Sequence, residues 1–435
     1  MIREFKRRRR QLMELMGEEG IAILPAGPIQ IRNRDVEYPF RPDSDFYYLT
    51  GFPEPEALAV LCPGRSQGEF LLFCRERDPK QERWLGKRAG LEGACNRFGA
   101  DDAFPIKDMD DILPGLLENR ARVFYAMGYY PEFDQKLLDW LARVRTKSRQ
   151  QINIPAEFIT FDHLLHDMRL FKSRYEVDRI RKAADISAKA HRRAMAMCRP
   201  GMLEYQLEAE LIHEFIRSES RSPAYPPIVA TGANSCVLHY TDNHSMLKDG
   251  DLLLIDAGAE YQYYAADITR TFPVNGKFTP AQRDIYQLVL EVQEAAIDKA
   301  RPGNYWNDMH DAVVETITEG LRTLGFLKGR VKTLIKNEKY KKFFMHRTGH
   351  WLGMDVHDVG DYKIDGQWRL LEPGMVITVE PGLYIPRGSS KVAKKWWNIG
   401  VRIEDDILIT KEGPEILTRD VPRSIDEIEA LVGSG

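Results

Sequence analysis

The chain has 435 residues, 43% hydrophobic and 29% charged, a folded globular composition and not a disordered one. Lys plus Arg, 62, against Asp plus Glu, 65, leaves a net charge of −3, which excludes a chain built as a whole to grip nucleic acid or an anionic membrane. No run of ~18 apolar residues is available to span a bilayer, and no secretory signal follows the basic start, so a cytoplasmic protein is expected. The five cysteines are widely spaced without a C-x-x-C pair and read as reduced thiols. The Asn243-His244-Ser245 sequon carries no meaning without an export signal.

In chain order, 4–19 reads as a helix with Phe5, Leu12, Leu15 and Met16 as its apolar positions. Its basic run, 6–10, reads as a solvated face balanced by Glu4, Glu14, Glu18 and Glu19. Strand-like runs follow at 21–24, 57–62, 70–74 and 123–125, with helical stretches such as 133–144 between and after them, an α/β pattern. Near residue 170 the texture changes. A long amphipathic helix over 174–199 stops at Pro200-Gly201, and a second follows over 203–218. The boundary is placed there: 1–170 as an N-terminal α/β domain and 171–435 as an α+β domain, whose long helices at 280–299 and 305–324 alternate with strand hairpins.

The second domain contains an internal echo. Gly250-Asp251-Leu252-Leu253-Leu254-Ile255-Asp256-Ala257-Gly258 resembles Gly374-Met375-Val376-Ile377-Thr378-Val379-Glu380-Pro381-Gly382. Each runs from a turn glycine through an apolar strand to a carboxylate, with another glycine two residues further on. Each is followed by a second acid-bearing strand, one with Asp267 and one with Glu404, as in two related halves that each supply a hairpin with one acid per strand. Packed face to face, the halves bring Asp256, Asp267, Glu380 and Glu404 together. Four buried carboxylates need protons or cations, because desolvation costs several kcal/mol per ion. Two divalent ions neutralise the set. Oxygen-rich ligation with one imidazole suits Mn2+, and less sharply Fe2+, Co2+ or Zn2+.

The imidazole is assigned to His350, in the histidine-rich string from Phe344 to Asp358, where Gly349 and Gly353 are expected to let the backbone turn tightly and approach a ligand. His357 lies seven residues on, and His239 precedes the first acid strand. Arg402 and Glu404 alternate onto one strand face, where Arg402 is free to pair with a neighbouring acid such as Asp406, to hold substrate or to steer Glu404. H-E-x-x-H, G-x-x-x-x-G-K-[ST], G-x-S-x-G and strand-following G-x-G-x-x-G motifs are missing, which weighs against zincins, P-loop enzymes, serine hydrolases and dinucleotide enzymes.

The order Asp256, Asp267, His350, Glu380, Glu404 resembles the pita-bread metallopeptidases, which include methionine aminopeptidase, prolidase and aminopeptidase P. The strings Asp267-Ile268-Thr269-Arg270-Thr271-Phe272, His350-Trp351-Leu352-Gly353, Thr378-Val379-Glu380-Pro381-Gly382-Leu383-Tyr384 and Arg402-Ile403-Glu404-Asp405-Asp406 are most similar to the Xaa-Pro branch. Asn33-Arg34-Asp35-Val36-Glu37-Tyr38-Pro39-Phe40-Arg41 and Ser44-Asp45-Phe46-Tyr47-Tyr48-Leu49-Thr50-Gly51-Phe52 extend the likeness to bacterial aminopeptidase P. The least familiar stretch is 387–398.

The resemblance implies a pita-bread catalytic domain with pseudo-two-fold halves behind an α/β N-terminal domain. It implies two divalent ions, usually Mn2+, held by Asp256, Asp267, His350, Glu380 and the bridging Glu404, with a hydroxide between them attacking the carbonyl before proline. Glu380 would move protons, His357 and His239 would donate hydrogen bonds to substrate and oxyanion, and Tyr384 and Arg402 would help shape the proline site. Asp35 and Trp84 would reach a neighbouring subunit's site in a homo-oligomer, a dimer or tetramer. The expected substrates are Xaa-Pro peptides. The rivals are a prolidase restricted to dipeptides, a non-catalytic binding module on the same fold, and the metal-free C–N hydrolase branch. Retention of all five ligands disfavours the last two.

Overall fold

The computed structural model describes residues 2–147 and 152–435. The chain divides into two compact units, Met1–Asp167 and Met168–Gly435. No helix among the described residues is long and apolar enough to cross a membrane, and the five cysteines are unpaired.

The first unit is built on a six-stranded sheet in the order Asp102–Pro105, Phe70–Cys74, Leu58–Leu61, Gly20–Pro25, Arg122–Phe124, Glu157–Ile159. Its three central strands pair antiparallel, and the outer ones join in parallel. Phe70–Cys74 and Leu58–Leu61 are buried along their whole length, which explains why they read as continuous apolar runs and not as alternating ones. Helix Pro131–Thr146 covers the sheet with Leu137, Trp140, Leu141 and Val144, one helical stripe.

The first helix, Ile2–Met16, corrects the reading of its basic run as a solvated face. Phe5, Leu12 and Met16 are buried as expected, whereas Leu15 is exposed. Arg8 and Arg9 are also buried. They donate to the carbonyls of Tyr48 (3.0 Å) and Leu49 (2.7 Å) in the last turn of helix Ser44–Thr50, and their guanidinium planes lie over the Tyr48 and Phe70 rings. A helix's last carbonyls lack intrahelical donors, and an arginine can satisfy them while stacking on an aromatic face.

In the second unit, helices Arg174–Met197, Glu204–Arg217, Pro280–Lys299 and Trp306–Thr323 supply the outer layer. The first and third start at capping boxes, Ser173 with Glu176 and Thr279 with Gln282. The sheets repeat one layout. In the first half, Leu252–Asp256 pairs with Thr269–Pro273, the chain breaks, and Glu260–Tyr261 pairs with Tyr264–Ala265. In the second half, Val376–Val379 pairs with Asp405–Thr410, the chain breaks, and Gly382–Ile385 pairs with Ile399–Arg402. Asp256 ends its strand, while Asp267, Glu380 and Glu404 lie in the breaks. Arg402 is the last residue of its strand and Glu404 lies two past it, yet both side chains reach Thr269 Oγ1, on the same side as expected.

The halves are joined where Thr269–Pro273 runs beside 399–404. The Glu404 N–H donates to the Thr269 carbonyl (3.0 Å), the Arg402 N–H donates to Thr271 Oγ1 (3.2 Å), and the Thr271 hydroxyl donates to the Arg402 carbonyl (3.0 Å). Arg270, fully buried, pairs with Asp405 at 2.7 Å and donates to the Glu404 carbonyl at 2.6 Å.

Neither Gly349 nor Gly353 has a positive φ; Gly353 lies in a bend, Gly349 does not. Gly349 is needed because its segment runs antiparallel alongside Val376–Val379 at close range. The Thr378 N–H donates to the His350 carbonyl and the Glu380 N–H to the Thr348 carbonyl, and a Cβ on Gly349 would lie 1.9 Å from the Thr378 carbonyl oxygen. At Gly353 a Cβ would meet the buried Asp358 carboxylate instead. Gly349→Ala is expected to overpack this close strand contact at ~2–3 kcal/mol and to lower the melting temperature by ~4–6 °C in a thermal scan; an unchanged midpoint would contradict the close approach.

Candidate active site

The strand breaks open into a cavity of about 490 Å3, lined among others by Tyr225, His239, His346, Arg347 and His357 around the acid cluster. Asp267, His350 and Glu404 each offer one ligand atom, all within 4.8 Å of one another. His350 Nε2 lies 3.4 Å from Asp267 Oδ2 and 3.9 Å from Glu380 Oε1. Its other nitrogen, Nδ1, is 2.9 Å from the Trp351 carbonyl, which orients the ring so that Nε2 faces the acids. Asp256 completes the group through Arg402, whose Nη2 is 2.6 Å from its Oδ2. Arg402 thus pairs with Asp256, not with Asp406. Asp406 accepts from the Asp267 N–H at 3.1 Å.

Burial sets the electrostatics. It pushes the Glu380 carboxyl up to about 7, against the pull of His350 and Arg402. Burial, reinforced by Asp267, Glu380 and Asp256, holds the Glu404 carboxyl well above the usual range, and burial also raises Asp256 against Arg402. Asp267 is the exception. There burial is outweighed by hydrogen bonding and charge from His350, so its carboxyl is held low. Burial would lower the His350 imidazole, but Asp267 and Glu380 outweigh it and raise it to about 9. The ionisable groups thus share protons because the cluster carries more negative charge than Arg402 balances. An oxygen-rich set with one imidazole and surplus negative charge fits divalent cations.

Several contacts were not legible as site residues. The Tyr225 hydroxyl lies within hydrogen-bonding distance of both Asp256 (2.6 Å) and Asp267. Thr269 Oγ1 donates to Glu404 Oε2 at 2.6 Å and accepts from Arg402 Nε at 3.1 Å. Tyr384, buried, stands between Arg402 Nη1 (3.1 Å) and His346 Nε2 (2.9 Å). A signal existed for Thr269, which stands two residues after Asp267 as Asp406 does after Glu404. Tyr225 had none, because it comes from an irregular segment ahead of the first acid strand. His357 packs edge-on against His350 with ring centroids 4.5 Å apart, and both His357 and His239 are exposed to the cavity. Asp35 and Trp84 belong to the first unit. Asp35 is exposed between Ile31–Asn33 and Val36–Glu37, and Trp84, 86% exposed, is on helix Pro79–Leu85.

A pita-bread metallopeptidase is the class this fold and site define. The family description "Metallopeptidase family M24" matches residues 178–411, and "Aminopeptidase P, N-terminal domain" matches 5–125. The chain is 48% identical to the Xaa-Pro aminopeptidase of Escherichia coli (strain K12), over 99% of this chain and 97% of that one. It superposes on the aminopeptidase PepP of Pseudomonas aeruginosa with a TM-score of 0.98 at 59% identity, over 99% and 98% of the two chains. For a zinc-substituted E. coli aminopeptidase P in complex with product the TM-score is 0.96 at 48% identity, over 99% and 98%. The chain belongs to the aminopeptidase P family of M24 metallopeptidases.

Behind Asp256 the next residue, Ala257, is braced by His191, which is fully buried and donates from Nε2 to the Ala257 carbonyl at 2.9 Å. Burial pushes this imidazole down to about 4 from 6.5. The unfolded chain therefore takes up the proton first on acidification. The stability His191 confers is complete above pH 6.5 and is lost as pH falls toward 4, by up to ~3 kcal/mol. His191→Gln keeps an N–H for Ala257 but cannot titrate. The wild type's advantage over this variant in thermal melts is expected to shrink steadily between pH 6.5 and pH 4; a constant difference would refute the assignment.

Proposed function

We propose that the protein is a Xaa-Pro aminopeptidase that releases the first residue of peptides with proline in second position, and that it works with two divalent cations, Mn2+ in the first instance. The observation that carries this reading is the convergence of Asp267, His350 and Glu404 within 4.8 Å, flanked by Asp256 and Glu380, in an open cavity. Asp256, Asp267, His350, Glu380 and Glu404 would hold the cations. Bound there, the pair supplies Lewis-acid polarisation of the scissile carbonyl and makes water a better nucleophile.

The chain's own residues do the rest. Glu380 is assigned the proton transfers. Its carboxyl sits near neutrality at about 7 and its side chain keeps 21% exposure to the cavity, whereas Glu404 is 2% exposed and tied to Thr269. An acid–base group works best with a pKa near the working pH. Glu380 takes a proton from the attacking water, the C–N bond breaks, and the proton passes to the departing proline nitrogen. His357 and His239, exposed on the cavity, donate hydrogen bonds to the substrate and to the oxygen that gains charge. The proline nitrogen has no N–H to recognise, so the imino ring is read by shape, against the wall formed by Arg402 and His346, which the buried Tyr384 backs from behind through hydrogen bonds to both.

A homo-oligomer assembled through the first unit belongs to the same reading. Trp84 and Asp35 there serve a neighbouring subunit's site, and the cytoplasm is the place of action. The exposed Trp84 supports this assignment.

Two experiments test the proposal. The purified protein, stripped by chelation and reloaded with Mn2+, is offered an Xaa-Pro dipeptide and an Xaa-Pro-Yaa tripeptide. Comparable or faster tripeptide cleavage is expected. Cleavage of the dipeptide alone would make the protein a prolidase, and full activity in a verified metal-free sample would overturn the metal requirement. In Glu380→Gln, saturating Mn2+ is expected to leave kcat down by at least ~10²-fold. Recovery of most of the activity at high metal would reduce Glu380 to a ligand.

A further inference from the structure

Arg347 is a second guanidinium on the cavity wall, and its situation is the reverse of that of Arg402. Arg402 is buried and committed to Asp256 at 2.6 Å. Arg347 is exposed, and among the described residues no carboxylate lies within ion-pair distance of it, although the cavity is rich in them. Its pose is nevertheless fixed. Nη2 donates to Asn307 Oδ1 at 2.7 Å, and the guanidinium carbon lies 5.0 Å from the centroid of the Trp368 ring. Its main chain is anchored as well. The Arg347 carbonyl accepts from His346 Nδ1 at 2.7 Å, and the next residue, Thr348, receives the Glu380 N–H. A preorganised, unpaired cation therefore stands on the segment that also borders the proton-carrying acid.

The chemistry of a peptide says which part of it this cation suits. The amino end carries an ammonium, which a guanidinium repels. A carboxylate is the matching group, and an arginine fork accepts one through two parallel N–H bonds. One residue lies on the amino side of the bond to be cut, and the charge every substrate carries there is the ammonium; the carboxylate that every free-acid substrate carries belongs to the leaving peptide. We propose that Arg347 is a specificity-determining residue that binds a carboxylate of the leaving peptide, either the C-terminus of a short substrate or an acidic side chain beyond the proline. The inference rests on the Xaa-Pro aminopeptidase reading and deepens it, because it gives the site a preference for peptides that carry a carboxylate on the leaving side of the cut.

The test uses the Mn2+-loaded enzyme and matched peptides: Ala-Pro-Ala as free acid and as amide, and Ala-Pro-Glu-amide against Ala-Pro-Gln-amide. For a charge-assisted contact at an exposed rim, the wild type is expected to favour the carboxylate-bearing member of one pair by about five- to tenfold in kcat/KM, expressed mainly in KM. Added salt narrows that ratio. A preference confined to the free acid assigns the C-terminus, and one confined to Glu over Gln assigns the side chain. Arg347→Ala is expected to bring the ratio to about one, Arg347→Lys to keep part of it, and Arg347→Glu to invert it. Equal cleavage of both members of both pairs by the wild type, or a ratio untouched by Arg347→Glu, overturns the proposal while the aminopeptidase reading stands. Failure to cleave any of the four peptides overturns that reading and this one together.

Discussion

A surplus of buried negative charge organises this molecule. Asp256, Asp267, Glu380, Glu404 and Asp406 lie within one apolar sheet region, and the permanent cation placed among them is Arg402. Carboxylates so enclosed are tolerated only when each has donors of its own. The fold supplies most of them: Arg402 for Asp256, the single Tyr225 hydroxyl for one of Asp256 and Asp267, Thr269 for Glu404, the Asp267 N–H for Asp406. Because Asp256, Asp267, Glu380 and Glu404 stand at strand ends and breaks, their side chains point into an open cavity and not into the packed core that Ile255, Ile377 and Val379 help to form. The same confinement that destabilises the ionised cluster gives Glu380 a near-neutral carboxyl and His350 a raised imidazole.

The four acids and the imidazole could be read from the sequence because they sit in recognisable local strings: Asp256 and Glu380 each follow a turn glycine and an apolar strand and precede a glycine by two residues, Asp267 and Glu404 come on the next acid-bearing segment of each repeat, and His350 lies in a histidine-rich string. The groups that steady them were not legible for a physical reason. Tyr225, Thr269 and Asp406 act through contacts set by tertiary packing; the repeat places Thr269 and Asp406 at matching positions two residues after an acid, but not what they touch, and nothing local marks Tyr225. Arg8 and Arg9 show the same limit in the first unit. A run of basic residues reads as solvent-facing until the neighbouring helix end that needs their donors is seen. The sequence marks Gly349, but it is the close antiparallel strand Val376–Val379, not a tight turn, that leaves no room for a side chain there.

The two halves share a layout but not an inventory. Two residues after the break acid, the first half carries Thr269 and the second Asp406, and each reaches the opposite half: Thr269 to the Glu404 carboxylate, Asp406 to the Asp267 N–H. Two residues before it stand Ala265 and Arg402. The symmetric scaffold thus holds an asymmetric distribution of charge, with its guanidinium on one side. His350 arrives from outside the repeat, on the segment that runs antiparallel beside Val376–Val379.

That cross-stitching has a kinetic side. Thr269 meets Glu404 across 135 positions of chain, and Arg270 meets Val421 across 151. Contacts of such separation close the largest loops and form late, after local helices and hairpins have gathered. Each half can build its hairpins early. Tyr225 can reach Asp256 and Asp267 within the first half, but Glu404 and Asp406 gain Thr269 and the Asp267 N–H only when the halves meet. Until that contact closes, these two carboxylates stay in water, where their charge costs little.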